Sequence, residues 1–395
     1  MVKQAIKSFA RHILFYLNKK DYKIKLEDGT SITHLRKKRD KEYFYGYYDK
    51  YPERNGYILF HEMQDDGKSV KIIVKCISTG IENVIAIVKS FNWQMGARSI
   101  WINDDIVSYN DFDGEKYVCR WHSLSAKKNI KTFDKPLQDI KINEYFLGVN
   151  YRRLRSYAKE YGYYCLPEMS EEEFDDYEHD GIWYVNTTNA KSNLLISLEE
   201  IIKFEYIDRF ERGKHFVNHI MISPSGKAFI FIHRYYVNGT RYDRLMYYDF
   251  HQLQCLLNGK TESHFCWIND NQIFGYGEYQ GSLGFYSINI DTLSIKYHKE
   301  LTAKHPKDGH PTYYGKWAII DSYPDLSRMQ SLIAYNIETG EIIKIGDFFH
   351  DLQHKGVTRC DLHPRFSDDG QSVYIDTIYT GKRQLCKIEL NGILS

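Results

Sequence analysis

The chain has 395 residues, with 53 Lys+Arg against 52 Asp+Glu and a formal net charge of +1. That balance argues against holding nucleic acid by bulk charge, which takes a basic excess. Hydrophobic residues at 43% and charged residues at 27% exclude disorder as the dominant state, and 34 Tyr beside 21 Phe and 6 Trp lean the composition toward strands. The N-terminus comes first in chain order. Lys3, Lys7, Arg11, Lys19 and Lys20 are basic, and no acid precedes Asp21. Ile6, Phe9, Ile13 and Leu17 recur at helical spacing and predict a short amphipathic helix. It either docks on the main domain or rests, through residues 3–17, on an anionic membrane surface. No apolar run reaches the roughly 18 residues of a membrane span, and no cleavage site follows the short apolar centre Ile13–Leu17. Cys76, Cys119, Cys165, Cys255, Cys266, Cys360 and Cys386 are scattered without a CxxC pair. A disulfide framework is not expected, and a reducing, cytoplasmic setting is.

The rest of the chain repeats itself. The segments 45–63, 94–112 and 138–154 each read as strand, turn, strand, and so, more clearly, do 217–235, 263–279, 309–325 and 362–379. The last four carry His219, His264, His310 and His363 near their starts, at gaps of 45, 46 and 53 residues. Seven units over Gly46–Leu390 average about 49 residues each, the size of a four-stranded propeller blade. The predicted fold is all-β: a seven-bladed β-propeller over 43–395, preceded by a helix and a closing strand within 1–42. Asp66-Gly67, Asp113-Gly114, Ser225-Gly226, Asn238-Gly239, Asn258-Gly259 and Asp369-Gly370 supply hairpin turns. Tyr22–Leu26 is the expected strand that closes the last blade. Residues 151–180 interrupt blade 3. Such an insertion usually maps to one face, often the binding face.

Equivalent positions in successive blades converge on the channel, so the four His should form an arc at its mouth. Alternation along the strands adds Asp361 beside His363 and Cys266 beside His264. His with carboxylate suits a divalent metal such as Mn²⁺ or Zn²⁺, and a Cys ligand would favour Zn²⁺. A His that merely bonds the next blade is the competing reading for each one. The other three blades carry Tyr48 or Asp49, Gln94 and Asp139 at that place, and this asymmetry favours function for the set.

The motifs Gly46–Lys50, Val217–His219, His264–Trp267, Asp308–Pro311 and Cys360–Arg365 resemble those of propellers related to oligogalacturonate lyases and associated with polysaccharide biosynthesis. The resemblance covers about residues 43–390. It implies cytoplasmic work on an acidic oligo- or polysaccharide, by metal-assisted β-elimination of a uronic-acid glycan. In the lyases three His and one Gln hold Mn²⁺, and a separate His is the base. By position His264 and His363 match two ligands, and His219 matches the blade of the base. Asp361 replaces a lyase His, and Thr358 stands near the place of the Gln. His310 and Asp361 complete the expected metal set. Arg234 is a candidate clamp for the uronate carboxylate and Tyr48 a candidate proton donor to the leaving oxygen. Arg98 and Arg153 are further channel-mouth candidates. The alternative is a non-catalytic glycan- or protein-binding propeller, since fold alone implies no activity. The sequence has no GxSxG, Walker A or HExxH motif.

Overall fold

The structure, a computed structural model, describes residues 23–36 and 40–394. The expected N-terminal helix and its membrane contact at residues 3–17 lie outside them. The described residues form seven antiparallel sheets arranged as the blades of a propeller. Strands follow one another in chain order across blade 2 (Ile100–Phe133), blade 3 (Asp139–Ser197), blade 4 (Lys214–Leu257) and blade 5 (Phe265–Tyr297). Blade 6 runs from Pro311 to Phe349, and Ile24–Leu26 pairs with its outer strand as a fifth. Blade 7 (Arg365–Glu389) is completed by Ser31–His34, which pairs Ser31 with Glu389 and His34 with Cys386. The stretch nominated to close the ring therefore lies one blade away from its expected place. Ile32 turns its side chain into the apolar cluster shared by blades 6 and 7, which gives Ser31–His34 its register.

Five of the six turn signals sit between successive strands of one blade, with Gly67, Gly114, Gly226, Gly239 and Gly370 all at positive φ. Asn258-Gly259 instead links blade 4 to blade 5. Glycine is required there because a Cβ would come within 2.6 Å of the Glu278 Cβ and 2.7 Å of its backbone carbonyl. All seven cysteines are free.

Blade 1 departs from the repeat. Its innermost strand begins as Tyr43–Phe44 and resumes as Glu53–Arg54, both paired to Tyr57–Met63. The intervening residues 45–52 leave the sheet and enter the channel. Their anchor is Asp376 of blade 7, whose carboxylate accepts the backbone N–H groups of Tyr45 (3.0 Å) and Gly46 (3.1 Å). Arg365 pairs with the same carboxylate at 2.8 Å and donates to the Tyr47 carbonyl at 2.8 Å. Only glycine fits at 46, where φ is +133° and a Cβ would come within 2.7 Å of the Met95 backbone.

Removing one partner from a buried ion pair leaves the other charge uncompensated. Asp376→Ala is therefore expected to cost about 3–5 kcal/mol of stability, measured by urea unfolding; an unchanged midpoint would show that the clamp is not needed. A second anchor responds to pH. His354 bonds Asp351 (2.9 Å) and Glu42 (2.8 Å), joining the loop before blade 7 to the start of blade 1. Burial disfavours its charged form, but the two carboxylates outweigh it and hold its pKa at about 9. The gain is complete below the unfolded-state value and lost as pH rises through about 9. Wild type is expected to lose stability over that window relative to His354→Gln, checked by thermal melts across pH.

Candidate functional site

Three of the four histidines sit just before an innermost strand and the fourth lies within one. His264 and His310 immediately precede Phe265–Asn269 and Pro311–Tyr314, and His363 lies two residues before Arg365–Phe366. His219 lies inside Lys214–Ile222 at a break in register between Asn218 and Met221. It adopts φ +52°, and His363 adopts φ +45°. These left-handed conformations turn the side chains out of the strand alternation. The rings meet in an arc: centroids are 4.9 Å apart for His219 and His264, 4.0 Å for His264 and His310, and 4.3 Å for His310 and His363.

Three of the imidazoles share one hydrogen-bonding plan. His264 Nδ1 faces Asp308 at 3.1 Å, His310 Nδ1 faces Asp321 at 2.9 Å, and His363 Nδ1 donates to the Gly46 carbonyl at 2.8 Å. The Nε2 atom of each is buried and has no hydrogen-bond partner. An acceptor at Nδ1 fixes the tautomer that leaves the Nε2 lone pair free, as in metal-ligating histidines. Asp321 holds two of the three, because it also accepts the backbone N–H groups of His310 (2.7 Å) and His363 (3.0 Å). Burial pulls His264 down to about 4 against the pull of Asp308, and pushes His363 well below the usual range. Burial also opposes the charged form of His310, but Asp321 outweighs it and raises that group.

Ligand atoms of His310, Asp361 and His363 lie within 4.8 Å of one another. That set of two imidazoles and a carboxylate suits a divalent ion; His264 lies outside it, with its ring 4.0 Å from that of His310 between centroids. Asp361 also carries an ion pair to Arg359, at 2.7 and 2.8 Å. Cys266 does not share the arc's chemistry: it packs against Phe274 and Ala318, and burial pushes its thiol well up.

His219 differs from the other three. Its Nδ1 meets the Tyr47 hydroxyl, and the Asn218 amide lies 3.4 Å from its Nε2. Burial, then Arg234, keeps it well below its usual pKa and therefore neutral at pH 7. Arg234 is buried 3.3 Å from Asp243 and donates to the Glu262 carbonyl at 3.3 Å; its Nε has no aligned acceptor. Tyr48 packs beneath the arc, 5.4 Å from His310 between centroids, and its hydroxyl donates to the Phe265 carbonyl at 2.8 Å. Arg98 is bidentate to Asp49 at 2.8 Å, and Arg153 pairs with Asp180 at 2.5 Å. These two arginines brace the scaffold.

Sequence reasoning missed the residues that orient the arc. Tyr47 and Asp308 lie within the motifs Gly46–Lys50 and Asp308–Pro311, which assign them no role, and Asp321 has only its place on the strand after His310. It also missed Tyr161. The insertion brings that ring to 5.0 Å from His219, while Tyr323 stands 5.9 Å from His310 and Arg359 lies over it at 4.6 Å.

No protein-family model and no curated protein matches the chain. Solved structures do. An oligogalacturonate lyase in complex with manganese superposes with a TM-score of 0.63 at 14% identity, over 93% of this chain and 95% of that one. An oligogalacturonate lyase from Vibrio parahaemolyticus gives 0.61 at 13% identity, over 93% and 96%. At such identity the likeness is one of fold. This chain is an oligogalacturonate lyase-like seven-bladed β-propeller in its architecture.

Proposed function

We propose that the protein acts on an acidic oligo- or polysaccharide in the cytoplasm as a metal-assisted lyase, cleaving a uronic-acid glycan by β-elimination. The observation that carries this reading is the set of three buried imidazoles with anchored Nδ1 and unpartnered Nε2 atoms. His264, His310 and His363, with Asp361 beside them, would hold a divalent ion such as Mn²⁺ or Zn²⁺. That ion would neutralise the C6 carboxylate and so make the C5 proton more acidic. Arg234 would pair with the same carboxylate. His219, neutral beside Arg234, would take the C5 proton at Nε2, with Tyr47 steadying Nδ1. Tyr48 would have to release the Phe265 carbonyl to protonate a leaving oxygen; the Tyr47 hydroxyl is the one already at the base.

A second reading, a non-catalytic glycan- or protein-binding propeller, draws on burial. The four imidazoles are between 1% and 6% exposed, and the rings of Tyr161 and Tyr323 pack against His219 and His310. No helix among the described residues is long and apolar enough to cross a membrane.

The deciding assay follows the unsaturated uronate product by absorbance, using polymers of galacturonate, glucuronate and mannuronate with Mn²⁺ or Zn²⁺ supplied. His219→Ala is expected to lower kcat by about 10²–10⁴-fold while binding persists, and His264→Ala to weaken both turnover and affinity. A wild-type protein that binds one polymer and forms no product from any would establish the binding reading. Metal alone gives an independent test. Asp321→Asn is expected to lower affinity for Mn²⁺ or Zn²⁺ by about 10–100-fold in calorimetry, because one carboxylate orients two ligands; equal affinity would remove Asp321 from that role.

A further inference from the structure

The insertion walls a second concavity as well as covering His219. A pocket of about 420 Å³ lies between blades 2 and 3, lined by Lys116 of blade 2, Lys135 of the link between the two blades, Trp183 of blade 3, and Leu166 and Met169 of the insertion. The insertion is tied down on this side, since the Tyr117 hydroxyl accepts the backbone N–H groups of Cys165 (2.9 Å) and Leu166 (3.2 Å). The one segment therefore shapes both places on the same face.

Two of the pocket's four carboxylates are matched by a guanidinium, Glu173 by Arg152 and Asp180 by Arg153; Asp176 faces His179, and Asp134 accepts from the Ser192 hydroxyl and keeps its charge. Arg152 is used up in turn on Glu173 and on the carbonyls of Pro167 and Glu168. The ammonium groups of Lys116 and Lys135 have no ion pair among the described residues. Lys135 rests instead on the face of Trp183, 3.5 Å from the ring centroid. A ring face is a weak partner for an ammonium compared with a carboxylate. Lys116 and Lys135 line the same pocket as Trp183; burial lowers the pKa of Lys135, and Asp134 and Asp180 oppose this.

We propose that this pocket is an outlying subsite for one acidic sugar residue of a chain that also reaches the histidine arc. The inference rests on the acidic-glycan reading above. The sugar carboxylate pairs with Lys116 and Lys135. As Lys135 leaves the ring to meet it, the face of Trp183 becomes free for the apolar side of the sugar, with Leu166 and Met169 as the opposite wall. The subsite adds affinity for long oligosaccharides and none for those too short to span both places.

The test uses full-length His219→Ala protein, so that ligand is not consumed, and calorimetry with di- and hexasaccharides of galacturonate, glucuronate and mannuronate. Adding K116Q and K135Q together is expected to weaken hexasaccharide binding about tenfold and flatten its salt dependence, leaving disaccharide binding unchanged. In parallel, ¹⁹F-tryptophan spectra, with Trp183 assigned through Trp183→Phe, should show that resonance shift with the hexasaccharide alone; this arm stands even if the double variant folds poorly. Hexasaccharide binding with no shift at Trp183 and no loss in the double variant overturns the subsite and leaves the acidic-glycan reading intact. Absence of binding by every oligomer overturns both.

Discussion

The structure depends on a short stretch of chain that leaves its own blade. Residues 45–52 depart from the innermost strand of blade 1 and cross the channel. Asp376 of blade 7 holds the Tyr45 and Gly46 N–H groups. Gly46 and Tyr47 offer their carbonyls to His363 and Arg365, and Tyr47 reaches His219 of blade 4. Tyr48 bonds the Phe265 carbonyl of blade 5 and packs on His310 at the start of blade 6. Asp49 takes Arg98 of blade 2, and Lys50 pairs with Asp139 of blade 3 at 2.6 Å. A propeller with an empty channel has only blade-to-blade packing to keep its inner strands in place. Here one segment ties every blade to a common axis, and the geometry of the imidazole arc follows from it.

Burying that much polarity is costly unless every group is partnered. Asp321 answers two backbone donors and an imidazole with one carboxylate, and Arg359 balances Asp361. Some other buried atoms also lack partners, among them Tyr45 Oη, Arg98 Nε and Arg365 Nη1, but the Nε2 atoms of His264, His310 and His363 form one group. They are adjacent, whereas the nitrogens facing the scaffold are satisfied. A purely structural histidine would be expected to use both nitrogens, as His61 does with the Tyr45 carbonyl and Ser99, each at 2.9 Å.

The insertion brings folded elements of its own against the arc. Its helix Tyr151–Tyr157 is capped by Asn150, which accepts from the N–H groups of Arg152 and Arg153. Glu171–Asp175 begins with a capping box between Ser170 and Glu173. The segment is thus a folded element and not a slack loop. It places Tyr161 against the base candidate at one end and closes a cation-bearing groove at the other. Within its acidic run Glu173 pairs with Arg152 and Asp175 with Lys214, while Glu171 and Glu172 stay exposed.

Local pattern determined much of this protein from the sequence alone. Strand, turn and strand recur because each blade needs alternating apolar faces and a tight turn, and both are written in adjacent residues. The blade count followed, and with it the convergence of His219, His264, His310 and His363, since equivalent positions must meet around an axis. What tertiary structure decided was the pairing of groups far apart in the chain. Ser31–His34, rather than the nominated Tyr22–Leu26, closes blade 7, while Ile24–Leu26 pairs with the outer strand of blade 6, although Ile24, Leu26 and Ile32 all pack on the same apolar cluster. Tyr47, rather than Tyr48, faces His219 because the stretch holding both leaves its sheet, and strand alternation no longer sets their directions. Arg98 and Arg153 turned inward to carboxylates that only folding brings near. Periodicity reports which side of an element is buried, while the identity of a buried polar group's partner depends on the whole ring being closed.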